Sequence, residues 1–301
     1  KGLLAVLCSL ALIIAGATSF YLKGEKNFGV DFKGGDLLTL SSPKVIDIGE
    51  VRHSLGALNF ADAAIQESAQ GGKYYITIRT PLHTSDQVEK QVMQSMPNAQ
   101  FKIEGSERVG ALVGGELAKN SLIALGLGIL GILIFVTFRF ELSFAVGAIV
   151  ALLHDVIITV GVFSLLNREL TLTMVGAVLT IAGYSINDTI VVYDRIREGL
   201  ASSKRGSIEQ IMNDSINQTL SRTILTSTVT LIPILCLFFF GGSVLRDFAL
   251  AIIIGVVVGT YSSIFIASPI VLWWTRTRGG SASSLRREIT EKAAAATGRT
   301  G

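Results

Sequence analysis

The sequence predicts a bundle of six membrane-spanning helices with a small α+β domain inserted after the first helix. Half of the 301 residues are hydrophobic and only 16% are charged, whereas a soluble domain has about a quarter charged residues. About 20 apolar residues in a helix cross about 30 Å of hydrocarbon. The segments that are long and apolar enough are residues 2–22, 120–138, 142–165, 171–193, 223–240 and 247–273. A polar stretch, residues 23–118, separates the first segment from the others.

The first apolar segment predicts an anchor that is retained in the mature protein. Residues 2–22 carry no charge, and this run is longer than the apolar region of a cleavable signal peptide. The chain starts at Lys1 without a methionine. We therefore expect it to be an excised part of a longer polypeptide.

The distribution of lysine and arginine predicts the orientation in the membrane, because cytoplasmic loops carry the excess of basic residues. Residues 194–222 and the tail 276–301 are rich in basic residues, whereas the turns 167–170 and 241–247 hold one basic residue each. Both termini are therefore expected in the cytoplasm, with residues 23–118 on the outer side of the membrane. The resulting division is a first helix, 1–22, an extracytoplasmic domain, 23–118, a five-helix region, 119–275, and a cytoplasmic tail, 276–301, that we expect to be disordered.

The polar stretch 23–118 predicts an α+β domain of the ferredoxin-like type. Alternating apolar residues predict strands, and apolar residues at four-residue spacing predict helices. The predicted strands are residues 36–41, 60–66, 74–79 and 99–103, and the predicted helices are residues 47–57 and 84–96. The order strand, helix, strand, strand, helix, strand is the split βαβ pattern. Its helices would cover one face of the sheet and leave the other face to solvent or to a partner.

No enzyme active site is predicted in this sequence. His53 and His83 are isolated, with no nucleophile pattern beside them. Cys8 and Cys236 lie inside apolar runs and offer neither a disulfide framework nor metal-ligand spacing. The net charge of +3 comes without a basic stripe interleaved with aromatic residues. We therefore expect no enzyme activity, no cofactor, no metal and no nucleic acid partner.

Asp188 is the residue that most directly suggests a function. It lies inside the apolar segment 171–193, where an ionisable side chain costs about 2.5–3.5 kcal/mol on insertion scales and marks an ion or proton pathway. Tyr184 is one turn earlier on the same face and Asn187 is adjacent, so both are candidates for the same pathway. The alternative is an aspartate that only bonds a neighbouring helix.

Arg222 is the predicted partner of Asp188. It begins the fifth apolar segment, and Asp188 lies about five residues from the cytoplasmic end of the fourth, so both groups are expected within one or two turns of the inner interface. A nearby cation favours the charged form of a carboxylate, whereas burial favours the neutral form. A site that alternates between these environments would load and release a proton. The alternative for Arg222 is an interface anchor.

His154 and Asp155 lie near the middle of the third apolar segment. Adjacent residues on a helix point in different directions, so one is expected to face the fourth helix and the other elsewhere in the bundle. A metal site would need further ligands at the same depth, and the sequence offers none. A hydrogen-bonded pair and a second station of a proton relay both remain open.

Several motifs resemble a known family. They are GVDFKGGDLLTL (29–40), FRFE (138–141), ALLHDVIIT (151–159), GYSINDTIVVYDRIRE (183–198), NQTLSRTILTS (217–227) and FGGSVLRDFALAIIIGVVVGTYSSIFIASP (240–269). Together they resemble the SecF branch of the SecD/SecF family of bacterial protein-export proteins. The motifs extend from residue 29 to residue 269, and GYSINDTIVVYDRIRE is specific to this branch.

The resemblance implies a function and a set of partners. SecD and SecF form a pseudo-symmetric pair of twelve helices at the SecYEG translocon, and the pair uses the proton gradient to draw unfolded preproteins out of the membrane. The implied partners are therefore SecD, SecYEG, YidC, the preprotein, protons and the lipid bilayer. The family's proton-path aspartate and arginine fall on Asp188 and Arg222. Some bacteria fuse SecD and SecF, so the chain is either a separate SecF or the SecF half of a fusion.

Two other functions remain open from the residues. One is a scaffold or assembly subunit that ties the export machinery together, in which the polar membrane residues are structural. The other is half of a small-molecule exporter driven by protons, but such an exporter would need a larger external domain with an aromatic pocket. The scaffold and the proton-coupled subunit differ in whether Asp188 has to titrate.

Overall fold

The computed structural model describes residues 2–61, 63–202 and 207–277, together with Leu285, Arg287, Ile289 and Glu291. The first helix, α1, is Gly2–Lys23, one residue longer than the predicted segment. A 3-10 turn, Gly24–Asn27, and a single helical turn, α2 (Val30–Lys33), lead from α1 into the α+β domain.

The α+β domain has the predicted order of elements. These are β1 (Gly35–Ser42), α3 (Ile48–Gly56), β2 (Ala64–Gln70), β3 (Lys73–Thr80), α4 (Ser85–Ser95), a 3-10 turn (Pro97–Ala99) and β4 (Lys102–Val109). All three strand pairings are antiparallel, in the order β2-β3-β1-β4.

Two of the predicted strands are displaced along the chain. The prediction for the second strand was 60–66, but Gly71 and Gly72 form the tight turn to β3 with positive φ angles of 55° and 77°. Because a two-residue hairpin turn fixes the register, β2 comprises the residues directly before that turn. The fourth strand was predicted at 99–103 and lies at Lys102–Val109, where polar and mostly exposed residues hide the alternation.

One face of the sheet forms the core of the α+β domain with the two helices. Its fully buried members include Leu38, Leu40, Ile76 and Ile78 from the strands and Val51, Leu55, Val88 and Val92 from the helices. Asp47 caps α3 through the Gly49 amide at 2.7 Å. The start of α4 is capped from a distance, because Asp36 of β1 accepts hydrogen bonds from the Thr84 and Ser85 amides at 2.9 Å each.

The remaining predicted segments are also helices, and all but the third extend beyond the predicted apolar runs. They are α5 (Ala111–Arg139), α6 (Leu142–Leu165), α7 (Leu172–Ser202), α8 (Ile208–Phe240) and α9 (Gly242–Ser262), which continues through π-helical Ser263–Ala267 into α10 (Ser268–Thr277). With α1, the described residues contain six segments that could cross a membrane. The predicted fold class is confirmed to the extent of six such helices and one small antiparallel sheet.

Small residues allow α9 to approach α7 closely. A Cβ atom at Gly255 would overlap Ile181, and a Cβ atom at Gly259 would lie 3.0 Å from that of Ser185. These two glycines form a GxxxG motif, which permits close helix contact in membranes. The close contact places Ser185 of α7 and Ser262 of α9 side by side, and both are within hydrogen-bonding distance of Asp155 of α6.

The predicted disorder of the tail 276–301 applies mostly to residues outside the described part of the chain. The described exceptions differ from that expectation. Helix α10 continues to Thr277, and Leu285 and Ile289 are helical and buried in the hydrophobic cluster that also contains Tyr193 and Leu200.

The second face of the sheet is turned toward the ends of the membrane helices. Arg79 of β3 forms an ion pair of 3.2 Å with Glu169, in the loop between α6 and α7. At the other end of the sheet, the Gln70 side chain donates a hydrogen bond of 2.7 Å to the Phe239 carbonyl of α8. The α+β domain is therefore docked on the membrane helices at two places.

Candidate functional site

Asp188 and Arg222 lie at the same level of two adjacent antiparallel helices. Asp188 is fourteen residues before the end of α7 at Ser202, and Arg222 is fourteen residues after the beginning of α8 at Ile208. Both are therefore about 21 Å from their helix ends at 1.5 Å per residue. The predicted distance of about five residues refers to the end of the apolar run and stays a prediction, because α7 and α8 continue past the apolar runs. The predicted match in depth is correct.

The Asp188 carboxylate is buried and incompletely bonded. Its exposed fraction is 2%, and its Oδ2 atom has no hydrogen-bond partner. Ser227 and Arg222 of α8 are the neighbours that interact with the carboxylate electrostatically. Across the described part of the chain, however, no basic side chain forms an ion pair with it, and Arg222 itself is exposed on the surface of the bundle. The predicted pair is thus a near neighbour and not a salt bridge in this conformation.

A chain of hydroxyl groups crosses three helices beside Asp188. The Tyr184 hydroxyl of α7 donates a hydrogen bond of 3.1 Å to Ser227 Oγ of α8, which lies 2.6 Å from Thr260 Oγ1 of α9. Thr223 Oγ1, one turn before Ser227, is buried without a partner. Such hydroxyls can pass protons only where they reach a group that titrates, and Asp188 is the acid beside them.

Asn187 does not belong to this cluster. Its side chain is exposed, because successive residues of a helix are rotated by about 100° around the axis and Asp188 already points into the bundle. The structure therefore places Tyr184 beside Asp188 and Asn187 away from it.

Asp155 is the second buried acid, and every contact it needs is present. It lies on α6 and is fully buried. Ser185 of α7 and Ser262 of α9 donate hydrogen bonds to its Oδ2 atom, at 2.5 Å and 2.7 Å. His154 Nδ1 lies 2.8 Å from its Oδ1 atom. We call these four residues the Asp155 cluster; it ties α6, α7 and α9 together.

His154 extends the Asp155 cluster toward α1. Its ring lies 6.2 Å from that of Tyr261, whose hydroxyl donates a hydrogen bond of 2.6 Å to the Ala5 carbonyl of α1. The His154 Nε2 atom is buried without a partner. The expectation that His154 and Asp155 face different neighbours holds, although the two side chains also bond each other.

Sequence reasoning missed the hydroxyl partners of both acids. Ser185, Ser227, Thr260 and Ser262 sit inside apolar segments, where a serine or threonine can bond its own helix backbone and therefore gives no signal by itself. The helical spacing of Ser185 and Asp188, three residues apart, was the available hint. It would not have told which acid each hydroxyl serves.

The described residues offer no metal site and no disulfide. Among them no group of three or more His, Cys, Asp and Glu side chains could hold a metal ion. Cys8 and Cys236 are free thiols on the exposed surface of the bundle.

The FRFE motif interlocks with the end of α7. Arg139 forms an ion pair of 3.2 Å with Asp194, and Glu141 is paired with Arg197 at 2.9 Å. The Phe140 ring lies 5.8 Å from that of Tyr193 in an edge-to-face arrangement. These contacts fix the position of α7 relative to the turn between α5 and α6, on the far side of Asp188 from the α+β domain.

Comparison with known proteins places this arrangement in a family. The model of the family described as protein export membrane protein SecD/SecF, C-terminal, matches residues 87–277, a range that includes all the candidate site residues. This chain belongs to the SecD/SecF family. With six segments able to cross a membrane, it is a multi-pass inner-membrane protein of the protein-export machinery.

Individual members of the SecD/SecF family match most of this chain. The protein translocase subunit SecF of Thermodesulfovibrio yellowstonii is 42% identical over 277 residues, which cover 90% of this chain and 92% of the relative. The SecDF of Thermus thermophilus is 40% identical over 280 residues. Its crystal structure, described as that of a translocon-associated membrane protein, superposes with a TM-score of 0.80 at 39% identity over 91% of this chain. This chain spans 38% of that SecDF chain.

Proposed function

We propose that this chain acts with SecD at the SecYEG translocon, where inward proton flow through the membrane helices drives the export of preproteins. In this proposal both termini are cytoplasmic and residues 23–118 lie outside the membrane. YidC is a further partner. The relatives named SecF and SecDF support the assignment, since this chain aligns with nearly all of a separate SecF and with one part of a fused SecDF.

The observation that carries the proposal is the incomplete bonding of Asp188. An acid that serves only as structural glue should have its oxygens bonded, as those of Asp155 are. Asp188 Oδ2 has no partner although it is buried in the membrane part of the bundle. A buried polar atom without a partner is costly, so its retention favours a role in which the carboxylate binds and releases a proton.

Arg222 and the hydroxyl chain are assigned supporting roles. Arg222 is near enough to act on the Asp188 charge and is free to move, because its side chain is exposed. Approach of the guanidinium would favour the ionised carboxylate, and retreat would favour the protonated one. Tyr184 and Ser227 supply hydroxyls along which a proton can travel.

His154 and Asp155 are assigned to holding the helices in place. Both oxygens of Asp155 are bonded, Oδ2 by Ser185 and Ser262 and Oδ1 by His154 Nδ1. The Asp155 cluster thereby keeps α6, α7 and α9 together. A relay function for this pair has less support than the alternative of a hydrogen-bonded pair.

The α+β domain is proposed to be the part that acts on the preprotein. Its element order and the strand order β2-β3-β1-β4 are those expected of the ferredoxin-like type. Movement of such a domain on the outer side of the membrane would pull or hold the emerging chain.

The proposal is tested with Asp188→Asn in membranes that contain SecD and SecYEG, at equal expression and assembly. We expect preprotein export to lose the component that depends on the proton gradient. Asp214→Asn is the matched control, because Asp214 is an exposed acid on α8 and the same substitution there should leave export unchanged. If Asp188→Asn exports with unchanged gradient dependence, Asp188 is structural and the scaffold function replaces this proposal.

A further inference from the structure

The loop between α6 and α7 pairs with the linker that leads from α1 into the α+β domain. The Gly29 amide donates a hydrogen bond of 2.8 Å to the Leu170 carbonyl, and the Leu170 amide donates one of 2.6 Å to the Asn27 carbonyl. Phe28 and Leu170 form a parallel β-bridge. We call residues 27–31 and 166–171 the junction. It connects the sheet to the two helices that carry Asp155 and Asp188.

Arg79 inserts from the sheet into the junction. Its guanidinium lies 3.2 Å from Glu169 and also donates a hydrogen bond to the Phe28 carbonyl. Both members of the ion pair are largely buried, with exposed side-chain fractions of 15% for Arg79 and 19% for Glu169. One arginine of the α+β domain thus holds both strands of the junction.

Glu169 interacts with several charged groups and not with Arg79 alone. Arg79 is the cation nearest to it. Lys33 adds a second positive charge, whereas Asp247 and Asp31 add negative ones.

The remaining charged groups near Glu169 are already engaged or line a shared space. Arg168 is paired with Asp247 at 3.2 Å, and Arg246 donates a hydrogen bond to the Ala69 carbonyl. A cavity of about 140 Å³ lies between the sheet and the helix ends, and Glu107, Glu169 and Asp247 are among its lining residues. This cavity is large enough to hold water beside Glu169.

Burial makes the Glu169 carboxylate costly in its ionised form. Desolvation raises the pKa of Glu169 above its ordinary value of 4.5, against the opposing effect of Arg79 and Lys33. A group whose pKa is higher in the docked state than in the exposed state binds a proton more readily when the domain is docked. A low pH therefore favours docking. At high pH the carboxylate is charged, and docking then depends on Arg79 to balance that charge.

We propose that the charge balance at Glu169 controls docking of the α+β domain onto the membrane helices. The domain stays docked while Arg79 balances the Glu169 carboxylate or a proton occupies it, and it is released when neither is present. This device does not require Asp188 to titrate, so it stands or fails separately from the proposed function.

The test measures the distance between the domain and the end of α6 in the full chain in lipid nanodiscs. Spin labels are placed at Lys44→Cys and Leu166→Cys, both exposed positions, after Cys8 and Cys236 have been changed to serine. Pulsed electron paramagnetic resonance gives the distance distribution at about pH 5 and about pH 7.5, on either side of the range in which a carboxylate with a raised pKa titrates. The wild-type background should show one narrow docked population at both.

The variants separate charge from contact. Arg79→Gln leaves the buried Glu169 carboxylate without its arginine partner. At about pH 7.5 the equilibrium constant for docking should therefore fall roughly 10²–10³-fold, and the distribution of spin-label distances should become broader and longer. At about pH 5 the same variant should return to the docked distance. Arg79→Gln with Glu169→Gln should be docked at both, although it too lacks the bond to Phe28. Glu25→Gln is the matched control, because Glu25 pairs with Lys33 at 2.9 Å in an exposed position, and it should resemble the wild type.

Two results would overturn the proposal. One is a docked distribution for Arg79→Gln at about pH 7.5. The other is a distribution for the double variant as broad as that of Arg79→Gln, since the guanidinium contacts and not the charge balance would then hold the domain. If Arg79→Gln does not fold, Glu169→Gln and the wild type decide between the same alternatives. Glu169→Gln should stay docked at about pH 7.5 and about pH 5, because it has no carboxylate charge to balance, and a broad distribution for Glu169→Gln would show that the contacts of the carboxylate hold the domain.

Discussion

Asp155 and Asp188 should respond in opposite ways to removal of their carboxylates. Asp155→Ala removes the acceptor of Ser185 and Ser262 and the contact with His154. Hydrogen bonds between membrane helices contribute about 0.6–1 kcal/mol each, so the two bonds from Ser185 and Ser262 predict a loss of about 1–2 kcal/mol in the free energy of unfolding. Asp188→Ala removes at most one such bond, to Ser227, and predicts a loss of about 0.6 kcal/mol or less.

The assay is equilibrium unfolding of the full chain in lipid micelles by steric trapping, combined with export measured in membranes. Asp155→Ala should be destabilised, while Asp188→Ala should have near wild-type stability and no gradient-dependent export. Asp155→Asn is the control for shape, because its amide keeps an acceptor for the two serines and should recover most of the lost stability. Equal destabilisation by Asp155→Ala and Asp188→Ala would refute the distinction between a bonded and an unbonded acid.

Two further predictions concern the α+β domain and the α7–α9 contact. Asp36 is fully buried, and although burial alone would raise its pKa, hydrogen bonds from Ser85, Arg108 and Thr84 lower it from 3.8 to about 2. Its contribution to stability is therefore complete above pH 3.8 and is lost as the pH falls through about 2. The difference in stability between wild type and Asp36→Asn, measured by amide exchange of β3, should shrink from about 2 kcal/mol at pH 5 toward zero at pH 2. A difference that stays constant with pH would contradict this prediction. Gly255→Ala should lower the free energy of unfolding by about 1–3 kcal/mol in the same micelle assay, because its Cβ would overlap Ile181. Gly176→Ala on α7 is the control and should not lower it, because this position has open space around it. Equal effects would show that the close approach of α9 to α7 does not contribute to stability.

The sequence was sufficient for the membrane helices because the physical signal is long and unambiguous. About twenty apolar residues without charge have few other stable forms, and apart from residue 171 all six predicted segments lie within observed helices. The ends of the helices were not predictable in the same way. Helix α7 continues to Ser202, and α8 begins at Ile208 after a capping box formed by Ser207 and Gln210. These extensions are amphipathic and packed by tertiary contacts, which the local sequence does not reveal.

The acidic residues of the candidate site could be predicted from the sequence, but their hydrogen-bond partners could not. An aspartate at membrane depth stands out in any hydropathy pattern, so Asp155 and Asp188 were both found. Their difference depends on which serines of other helices reach them, and this is decided by the close contact at Gly255 and Gly259. Asn187 shows the reverse error, because adjacency in sequence was taken for adjacency in space.

The difference between the two acids indicates which helix can move under the proposed function. Ser185 and Asp188 are both on α7. Ser185 bonds Asp155 of α6, which in turn accepts a hydrogen bond from Ser262 of α9. Asp188 faces α8 without a firm bond. A change of charge on Asp188 would therefore act on the contact between α7 and α8 and leave the Asp155 cluster in place.

Helix α8 is also directly bonded to the α+β domain. The Gln70 side chain of β2 bonds the Phe239 carbonyl, and Arg246, which lies over the Phe238 ring at 5.1 Å, bonds the Ala69 carbonyl. A shift of α8 at the level of Asp188 would therefore move the hairpin between β2 and β3. Arg79 and Glu169 would meanwhile hold the other end of the sheet to α6 and α7. The sheet would then tilt about the junction and not translate as a whole, which is the motion that the proposed function requires of the α+β domain.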